Sequence, residues 1–152
     1  MSSAVTPIND TTDASLVQRF VALYQHLDYD SLSQLAGVYA DDIEFVDPLH
    51  RVRGLAQLTD YFSGLYKNLH HSSVEITDVI QGANEAALYW RMTLIHPKLN
   101  GGRAVVIDGH SHLKFSNRIH YHRDYFDAGQ MLYEQLPLLG PVIRAVKRRA
   151  SQ

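Results

Sequence analysis

The chain of 152 residues contains no cysteine, and this absence excludes several kinds of chemistry at once. Without thiols the protein forms no disulfide, offers no thiolate nucleophile and holds no cysteine-bound zinc. Basic charge is not in excess, because 14 Lys and Arg stand against 16 Asp and Glu, so we expect no nucleic-acid partner. No apolar run reaches the roughly 20 residues of a membrane-spanning helix. The first residues, MSSAVTPINDTTD, are polar and lack the order of a signal peptide, so we expect a soluble, cytoplasmic protein.

The length predicts a single domain with its own hydrophobic core. We expect residues 1–12 to form a flexible arm, because they are small and polar. Residues 13–149 then form the domain, and its last segment, 130–149, is divided by Pro137 and Gly140-Pro141 into two short helices. One expectation is that the apolar side of that segment closes the mouth of a cavity in the domain or packs on its sheet. The alternative is that the basic helix binds a membrane surface or a partner.

The first half of the chain has the apolar period of helices. This period predicts helices over 13–28 and 30–37 and a third after Gly54, with a strand over 43–47 between the second and the third. Alternating hydrophobicity then predicts four strands, 73–81, 85–96, 103–115 and 118–127. Short links favour an antiparallel meander. The predicted class is therefore α+β, with helices in the concave face of a curved, mainly antiparallel sheet and a conical cavity for a small molecule.

The last predicted strand, RIHYHRDYFD, carries ionisable and aromatic side chains at alternating positions. His120, His122, Asp124 and Phe126 share one parity. Because successive side chains of a strand point to opposite faces, His122 and Asp124 lie side by side on one surface. That surface is either solvated or lines the cavity.

The order of elements, with YADDIEFVDP followed by GLAQLTDYF, resembles the nuclear transport factor 2-like (NTF2-like) superfamily over roughly residues 13–127. This superfamily includes ketosteroid isomerases, limonene epoxide hydrolases and SnoaL-like polyketide cyclases. The resemblance implies a cone-shaped fold. It leaves function open, because one scaffold can host enzymes, binding modules and dimerisation domains.

The resemblance to ketosteroid isomerases implies that Asp47 is a general base. It also places Phe20 and Ser111 where those enzymes have the tyrosine and the aspartic acid of an oxyanion hole. A phenyl ring donates no hydrogen bond, and a serine hydroxyl reaches less far than a carboxylic acid. Steroid isomerisation is therefore disfavoured, although Asp47 can still transfer protons.

The strand motif RDYFD resembles limonene epoxide hydrolases, where it supplies one aspartate of an Asp-Arg-Asp set. The resemblance implies that Asp124 and Arg91 are two members of that set, and Thr93 stands at the third. Phe45 and Asp47 stand where those enzymes hold the hydrolytic water with a tyrosine and an asparagine. The sequence therefore retains only part of the hydrolase site.

The same resemblance implies which side chains face the cone. The candidate catalytic residues are Asp47, Asp124, His122 and Arg91, and the candidate pocket residues are Phe20, Tyr24, Phe45, Thr93, Ser111, Leu113 and Phe126. We expect Arg91 to keep Asp124 ionised while Asp47 or His122 exchanges a proton with the ligand. The alternatives are an ion pair between Asp124 and Arg91 that only joins strands, a turn role for Asp47 and a hydrogen-bonded wall role for His122.

The nine histidines do not predict a metal site, and we expect neither a metal nor a cofactor. If Ser111 faces the cone, His110 and His112 face away, whereas His120 and His122 face in. The convex face then presents Trp90, Met92, His110, His112, Tyr121, Arg123 and Tyr125. Such an aromatic and polar mixture is typical of an interface, so we expect a homodimer through the convex sheet face.

Two classes of function follow from the sequence. The first is a cofactor-independent isomerase, cyclase or hydrolase that acts on a small apolar, oxygenated ligand. The second is a non-catalytic ligand-binding, dimerisation or partner-binding module of the same fold.

Overall fold

A computed structural model describes residues 11–131 and 140–151 and places helices against one face of a six-stranded sheet. The helices are α1 (Thr11–His26), α2 (Leu55–Lys67), α3 (Ala128–Met131) and α4 (Gly140–Ala150), with short 3-10 helices at Leu32–Gly37 and Asn100–Gly102. The strands are β1 (Tyr39–Val46), β2 (Arg51–Arg53), β3 (His71–Gln81), β4 (Glu85–Ile95), β5 (Val105–Phe115) and β6 (Ile119–Phe126). The predicted α+β class is confirmed.

The sheet has the order β2-β1-β6-β5-β4-β3. The last four strands form the predicted meander, and every pairing in the sheet is antiparallel except that of β1 with β6. This parallel pairing brings the first half of the chain to the last strand. Phe45 of β1 lies directly opposite His122 of β6 as a result.

The hydrophobic core lies between the helices and the concave face of the sheet. The buried side chains of α1 and α2, such as Phe20 and Leu58, meet buried sheet residues such as Ile43 and Leu113. Phe62 lies one turn after Leu58 on the same stripe of α2, as the helical period predicts. Each such side chain contributes on the order of 1.5–3 kcal/mol when fully buried. The core thus holds the concave face in place around the polar residues described below.

Strand β4 has the opposite orientation to the predicted one. Trp90 and the even-numbered residues around it, such as Leu88 and Leu94, are buried, whereas Arg91 is exposed. Met92 packs in the same cluster as Trp90, so both face inward and not outward as predicted. The resemblance implies the wrong parity for this strand. A shift of one residue is enough to move every side chain to the other face.

Strand β6 contains a bulge that also changes a prediction. Lys114 pairs with Tyr121 and Phe115 pairs with Ile119, so one step along β5 corresponds to two steps along β6. The extra residue turns His120 out to solvent, while Ile119 and His122 are both buried. His120 therefore does not face the cone.

Element boundaries differ from the sequence prediction at the starts of α1 and β1. Helix α1 begins at Thr11, two residues before the expected start, and β1 begins at Tyr39 and not at residue 43. Residues 1–10 of the predicted arm and residues 132–139 of the predicted C-terminal segment lie outside the described residues. Helix α4 covers the second of the two expected C-terminal helices. None of the described helices is long and apolar enough to cross a membrane.

Candidate functional site

The centre of the candidate site is the imidazole of His122, which is 0% exposed. Its Nε2 lies 2.6 Å from Oδ1 of Asp124, two residues further along β6. Its Nδ1 lies 2.6 Å from the hydroxyl of Tyr39 at the start of β1. The Tyr39 hydroxyl in turn lies 2.5 Å from that of Tyr24 on α1. A continuous hydrogen-bonded chain therefore runs from α1 across β1 to the carboxylate of Asp124.

A second branch reaches Asp124 from the neighbouring strands. Ser111 lies directly opposite Asp124 in the β5–β6 register, and its hydroxyl donates to Oδ1 of Asp124 at 2.5 Å. The indole Nε1–H of Trp90 donates to the Ser111 hydroxyl oxygen at 2.9 Å. Three adjacent strands thus place Trp90, Ser111 and Asp124 in line on the concave face.

Aromatic rings enclose His122. The imidazole is 4.9 Å from the ring of Phe45, 5.5 Å from that of Phe20 and 5.9 Å from those of Tyr24 and Tyr39, measured between centroids. Leu113 lies opposite His122 on β5 and is fully buried. Burial raises the pKa of both the Tyr24 and the Tyr39 hydroxyl well above the usual value of a phenol. Both phenols therefore stay protonated donors at neutral pH.

Asp47 is held by three donors at the end of β1. Its Oδ1 accepts from the backbone N–H groups of Leu49 and His50, each at 2.7 Å, and its Oδ2 accepts from the hydroxyl of Tyr61. The backbone bonds close a turn of the Asx type through Pro48. The Asp47 side chain is only 7% exposed. This geometry matches the alternative in which Asp47 is a turn residue, because both of its carboxylate oxygens accept hydrogen bonds.

A cavity of about 200 Å³ lies beside the two aspartates. It is lined by Asp47, Pro48, Arg123, Asp124, Tyr125 and Phe126. The Asp124 side chain is 18% exposed, while the His122 side chain behind it is not exposed at all. Asp124 is therefore the point at which the buried hydrogen-bonded chain meets the cavity.

Two predicted site residues lie elsewhere. Arg91 is on the outer face, where its Nε donates to Oδ1 of Asp108 at 2.8 Å, so it forms no pair with Asp124. The bond from Arg91 lowers the pKa of the Asp108 carboxyl. Thr93 shares the parity of Arg91 and lies opposite the exposed Val106. The hydrolase-like set is therefore not assembled, because the predicted orientation of β4 was wrong.

The remaining pocket predictions lie on the concave side. Phe20, Phe45, Leu113 and Ser111 are buried, Tyr24 is partly buried, and Phe126 packs against Trp90 at 6.2 Å between ring centroids. Sequence reasoning missed three further polar members, namely Tyr39, Tyr61 and Trp90. Tyr39 has the parity of Ile43 and Phe45, so a predicted strand that began four residues earlier would have included it.

The other histidines do not join this site. His110 and His112 lie on the outer face as predicted, next to Tyr125 and Glu85 respectively. Within residues 11–131 and 140–151, no group of three or more histidine, aspartate or glutamate side chains is placed to hold a metal ion.

Comparison with solved structures identifies the fold. A protein described as a candidate SnoaL-like polyketide cyclase from Jannaschia sp. CCS1 superposes with a TM-score of 0.67 at 14% identity, over 83% of this chain and 92% of that one. An NTF2-like protein of unknown function from Burkholderia pseudomallei gives 0.70 at 12% identity, over 80% and 95%. AclR, a candidate hydroxylase from Streptomyces galilaeus, gives 0.67 at 20% identity, over 94% of both chains. These identities establish the fold alone.

Sequence comparison agrees with the structural one. A search of curated proteins finds no match. The model of the SnoaL-like domain family, however, matches residues 17–122, which span α1 to His122 of β6. That match covers more than half of the chain, and the cone fold agrees with it. The protein therefore belongs to the SnoaL-like domain family.

Proposed function

We propose that the protein binds a small, largely apolar, oxygenated molecule in the cavity beside Asp124 and exchanges a proton with it, as a cofactor-independent isomerase or cyclase. The observation that carries the proposal is the unequal engagement of the two oxygens of Asp124. Both of its partners, His122 and Ser111, bond to Oδ1. Within the described residues no protein group bonds to Oδ2, and Asp124 lines the cavity. Oδ2 is therefore the atom that is left for a ligand.

The surroundings favour Asp124 over Asp47 as the proton-exchanging group. The oxygens of Asp47 already accept three hydrogen bonds, from Leu49, His50 and Tyr61. Taking up a proton there would weaken these bonds, because a neutral carboxyl group is a poorer acceptor than a carboxylate. Asp47 instead supplies a fixed acceptor at the other side of the cavity. Asp47 then orients the ligand and Asp124 reacts with it.

The proposed step begins with a carbonyl compound in the cavity. Oδ2 of Asp124 takes a proton from the carbon next to the carbonyl, and the electron pair of the broken C–H bond forms an enolate. An isomerase returns the proton to a different carbon. In a cyclase the enolate carbon attacks a second carbonyl of the same molecule, and the resulting alkoxide takes the proton back from Asp124. Neither route requires a redox partner.

The size of the cavity limits the ligand. Its volume of about 200 Å³ is below the roughly 300–1,000 Å³ of typical drug-sized ligand sites, so a compact molecule of one or two rings is expected. The family membership supports a small-molecule site of this kind. A candidate polyketide cyclase is among the solved structures of the same fold, which is in keeping with the cyclase alternative.

Amide chemical-shift mapping with 2-tetralone, a compact bicyclic ketone with exchangeable α-protons, tests the binding site. We expect shifts at Asp47, Asp124, Tyr125 and Phe126. A larger cleft of about 390 Å³, which lies at the β3–β4 hairpin beside Glu85 and His112, serves as the internal control. Shifts confined to that cleft, or the absence of any shift, would contradict the proposal. The second result would favour the non-catalytic module.

We also propose that the protein forms a homodimer through the outer face of the sheet. The rings of Tyr89, His110 and Tyr125 are stacked there across three strands, with centroids 5.4 and 4.7 Å apart. Tyr89 and Tyr125 are nevertheless 42% and 39% exposed. A preorganised aromatic surface of this kind suits an interface. A cytoplasmic location and a single domain over 13–149 remain predictions from the sequence.

A further inference from the structure

The direction of each hydrogen bond around Asp124 is fixed by the chemistry of the groups at the ends of the two branches. An indole N–H only donates, so the Ser111 oxygen accepts from Trp90 and the Ser111 hydroxyl hydrogen goes to Asp124. Oδ1 of Asp124 must therefore accept. A proton on Oδ1 would meet the hydroxyl hydrogen of Ser111.

The branch through the tyrosines allows two arrangements in principle. In the first, Tyr24 donates to Tyr39, Tyr39 donates to Nδ1 of a neutral His122, and Nε2–H donates to Oδ1 of Asp124. Every donor then has an acceptor. In the second, His122 is protonated on both ring nitrogens and donates from Nδ1 to the Tyr39 hydroxyl oxygen. The Tyr39 hydroxyl must then donate to Tyr24. The Tyr24 hydroxyl hydrogen is then without an acceptor among residues 11–131 and 140–151.

The first arrangement is favoured because it gives every donor an acceptor, whereas the second leaves the partly buried Tyr24 hydroxyl without one, which is costly. Transfer of a proton from Tyr39 to the imidazole is also opposed, since burial raises the pKa of the Tyr39 hydroxyl. The ring of Phe20 stacks on Tyr24 with centroids 4.3 Å apart, so the phenol is held in place. The Tyr39 hydroxyl therefore acts on His122 as a donor.

We infer that Tyr39 and Trp90 are positioning residues that keep His122 neutral, with its hydrogen on Nε2, and make Oδ1 of Asp124 a permanent acceptor. Any proton that Asp124 takes up is then confined to Oδ2, the oxygen left for the ligand. This inference rests on the proposed role of Asp124 as the proton-exchanging group. It goes beyond that role by naming the reacting atom and the two residues, neither in the cavity lining, that select it.

The position of Trp90 depends on the lack of a side chain at Gly109. The two residues lie directly opposite each other in the β4–β5 register. A Cβ built on Gly109 would lie 2.4 Å from the indole ring and 2.8 Å from the backbone oxygen of Tyr125. The indole therefore lies close to the backbone at residue 109, where a side chain would collide with it, and in this position its Nε1 reaches Ser111.

Nitrogen-15 NMR of the histidine rings tests the inference without any ligand. In the wild-type protein at neutral pH we expect a His122 ring that carries hydrogen on Nε2 and none on Nδ1. Tyr39→Phe should move the Nδ1 resonance toward that of an imidazole nitrogen without a hydrogen bond, while Nε2 keeps its hydrogen. Tyr66→Phe is the matched control, because it removes a buried phenol hydroxyl that interacts with Ser72 and not with His122.

The Trp90 branch has its own readout, because the chain contains a single tryptophan and its indole N–H signal is unambiguous. Ser111→Ala should move that signal and speed its exchange with water, and the exposed Ser116→Ala should not.

A hydrogen on Nδ1 of wild-type His122 would overturn the inference, as would an Nδ1 or indole signal that does not respond to these variants. The wild-type spectrum decides even if Tyr39→Phe fails to fold. A correct ring form without binding of 2-tetralone would reject the proposed function alone.

Discussion

Oδ1 of Asp124 and Nε2 of His122 lie 2.6 Å apart, although the two residues belong to one strand and are separated only by Arg123. Residues two apart on a strand are about 6.6 Å apart along its axis, so both side chains lean toward each other. The rings of Phe45 and Phe20 pack against His122 and restrict the orientation of its imidazole. The pair is therefore held by the packing around it, and its stability contribution is open to measurement.

Replacing His122 with leucine should destabilise the fold. The Tyr39 hydroxyl loses its acceptor and Asp124 loses one donor, and each group left unpaired costs about 1–3 kcal/mol. We therefore expect the free energy of unfolding in urea to fall by about 2–6 kcal/mol. The control is His120→Leu on the same strand, where the side chain is exposed at the bulge and a change within about 0.5 kcal/mol is expected. Equal effects of the two substitutions would contradict this assignment.

Gly109→Ala should disturb Trp90 specifically. The added methyl group meets the indole and the backbone of Tyr125, and overpacking of this kind costs about 1–3 kcal/mol. The fluorescence of the single tryptophan should change with the loss of stability. In contrast, a Cβ at Gly64, which lies in α2, would meet nothing within 4 Å. Gly64→Ala should therefore stabilise the protein by about 0.5–1 kcal/mol. If Gly109→Ala were also stabilising, the position of the indole against residue 109 would be refuted.

High pH should destabilise the protein through its buried tyrosines. Burial raises the pKa of Tyr24 and Tyr39, and that of Tyr66 to about 12. Above the unfolded-state pKa of about 10 the unfolded chain loses these protons while the folded chain retains them. The folded state then binds more protons, so the free energy of unfolding falls as the pH rises from about 10. Tyr66→Phe should make this fall shallower, and an unchanged slope in urea titrations would argue against the raised pKa.

The proposed dimer predicts a mass that depends on protein concentration. Tyr125→Arg places a charge in the stacked aromatic surface next to Arg123, whose guanidinium lies 4.7 Å from the Tyr125 ring centroid. We expect this variant to be monomeric by sedimentation equilibrium while it keeps its fold. Tyr29→Arg is the control, because Tyr29 is exposed before the first 3-10 helix and outside the sheet. A wild-type mass equal to the monomer at all concentrations would contradict the dimer.

The fold was predictable because it depends on repeated patterns. Helical and alternating periods extend over many residues, so α1, α2, the four-strand meander and the shared face of His122 and Asp124 were predicted correctly. The parity of β4 was set by analogy with an enzyme site. The alternation of Ala86, Leu88 and Trp90 favours the observed face, and these residues are buried as it indicates.

Other features depend on contacts between distant parts of the chain. Nothing local marks Tyr39 as the partner of His122, because 83 residues separate them and the parallel pairing of β1 with β6 brings them together. The bulge that exposes His120 arises because β6 has one more residue than β5 between two successive residue pairs. A sequence pattern of period two does not register such an insertion. The network around Asp124 was therefore visible only in part.

The central claim is that Asp124 exchanges a proton with a ligand in the cavity, and its most direct test is the exchange of the α-protons of 2-tetralone with deuterium from solvent, followed by proton NMR. We expect the wild-type protein to accelerate this exchange above the rate in buffer. Asp124→Asn, which keeps the shape of the side chain, should lower the protein-dependent rate about 100-fold or more. Asp108→Asn on the outer face should leave it unchanged, because Asp108 is bound to Arg91 away from the cavity. A wild-type rate equal to that of buffer, or an Asp124→Asn rate equal to that of the wild type, would contradict the account.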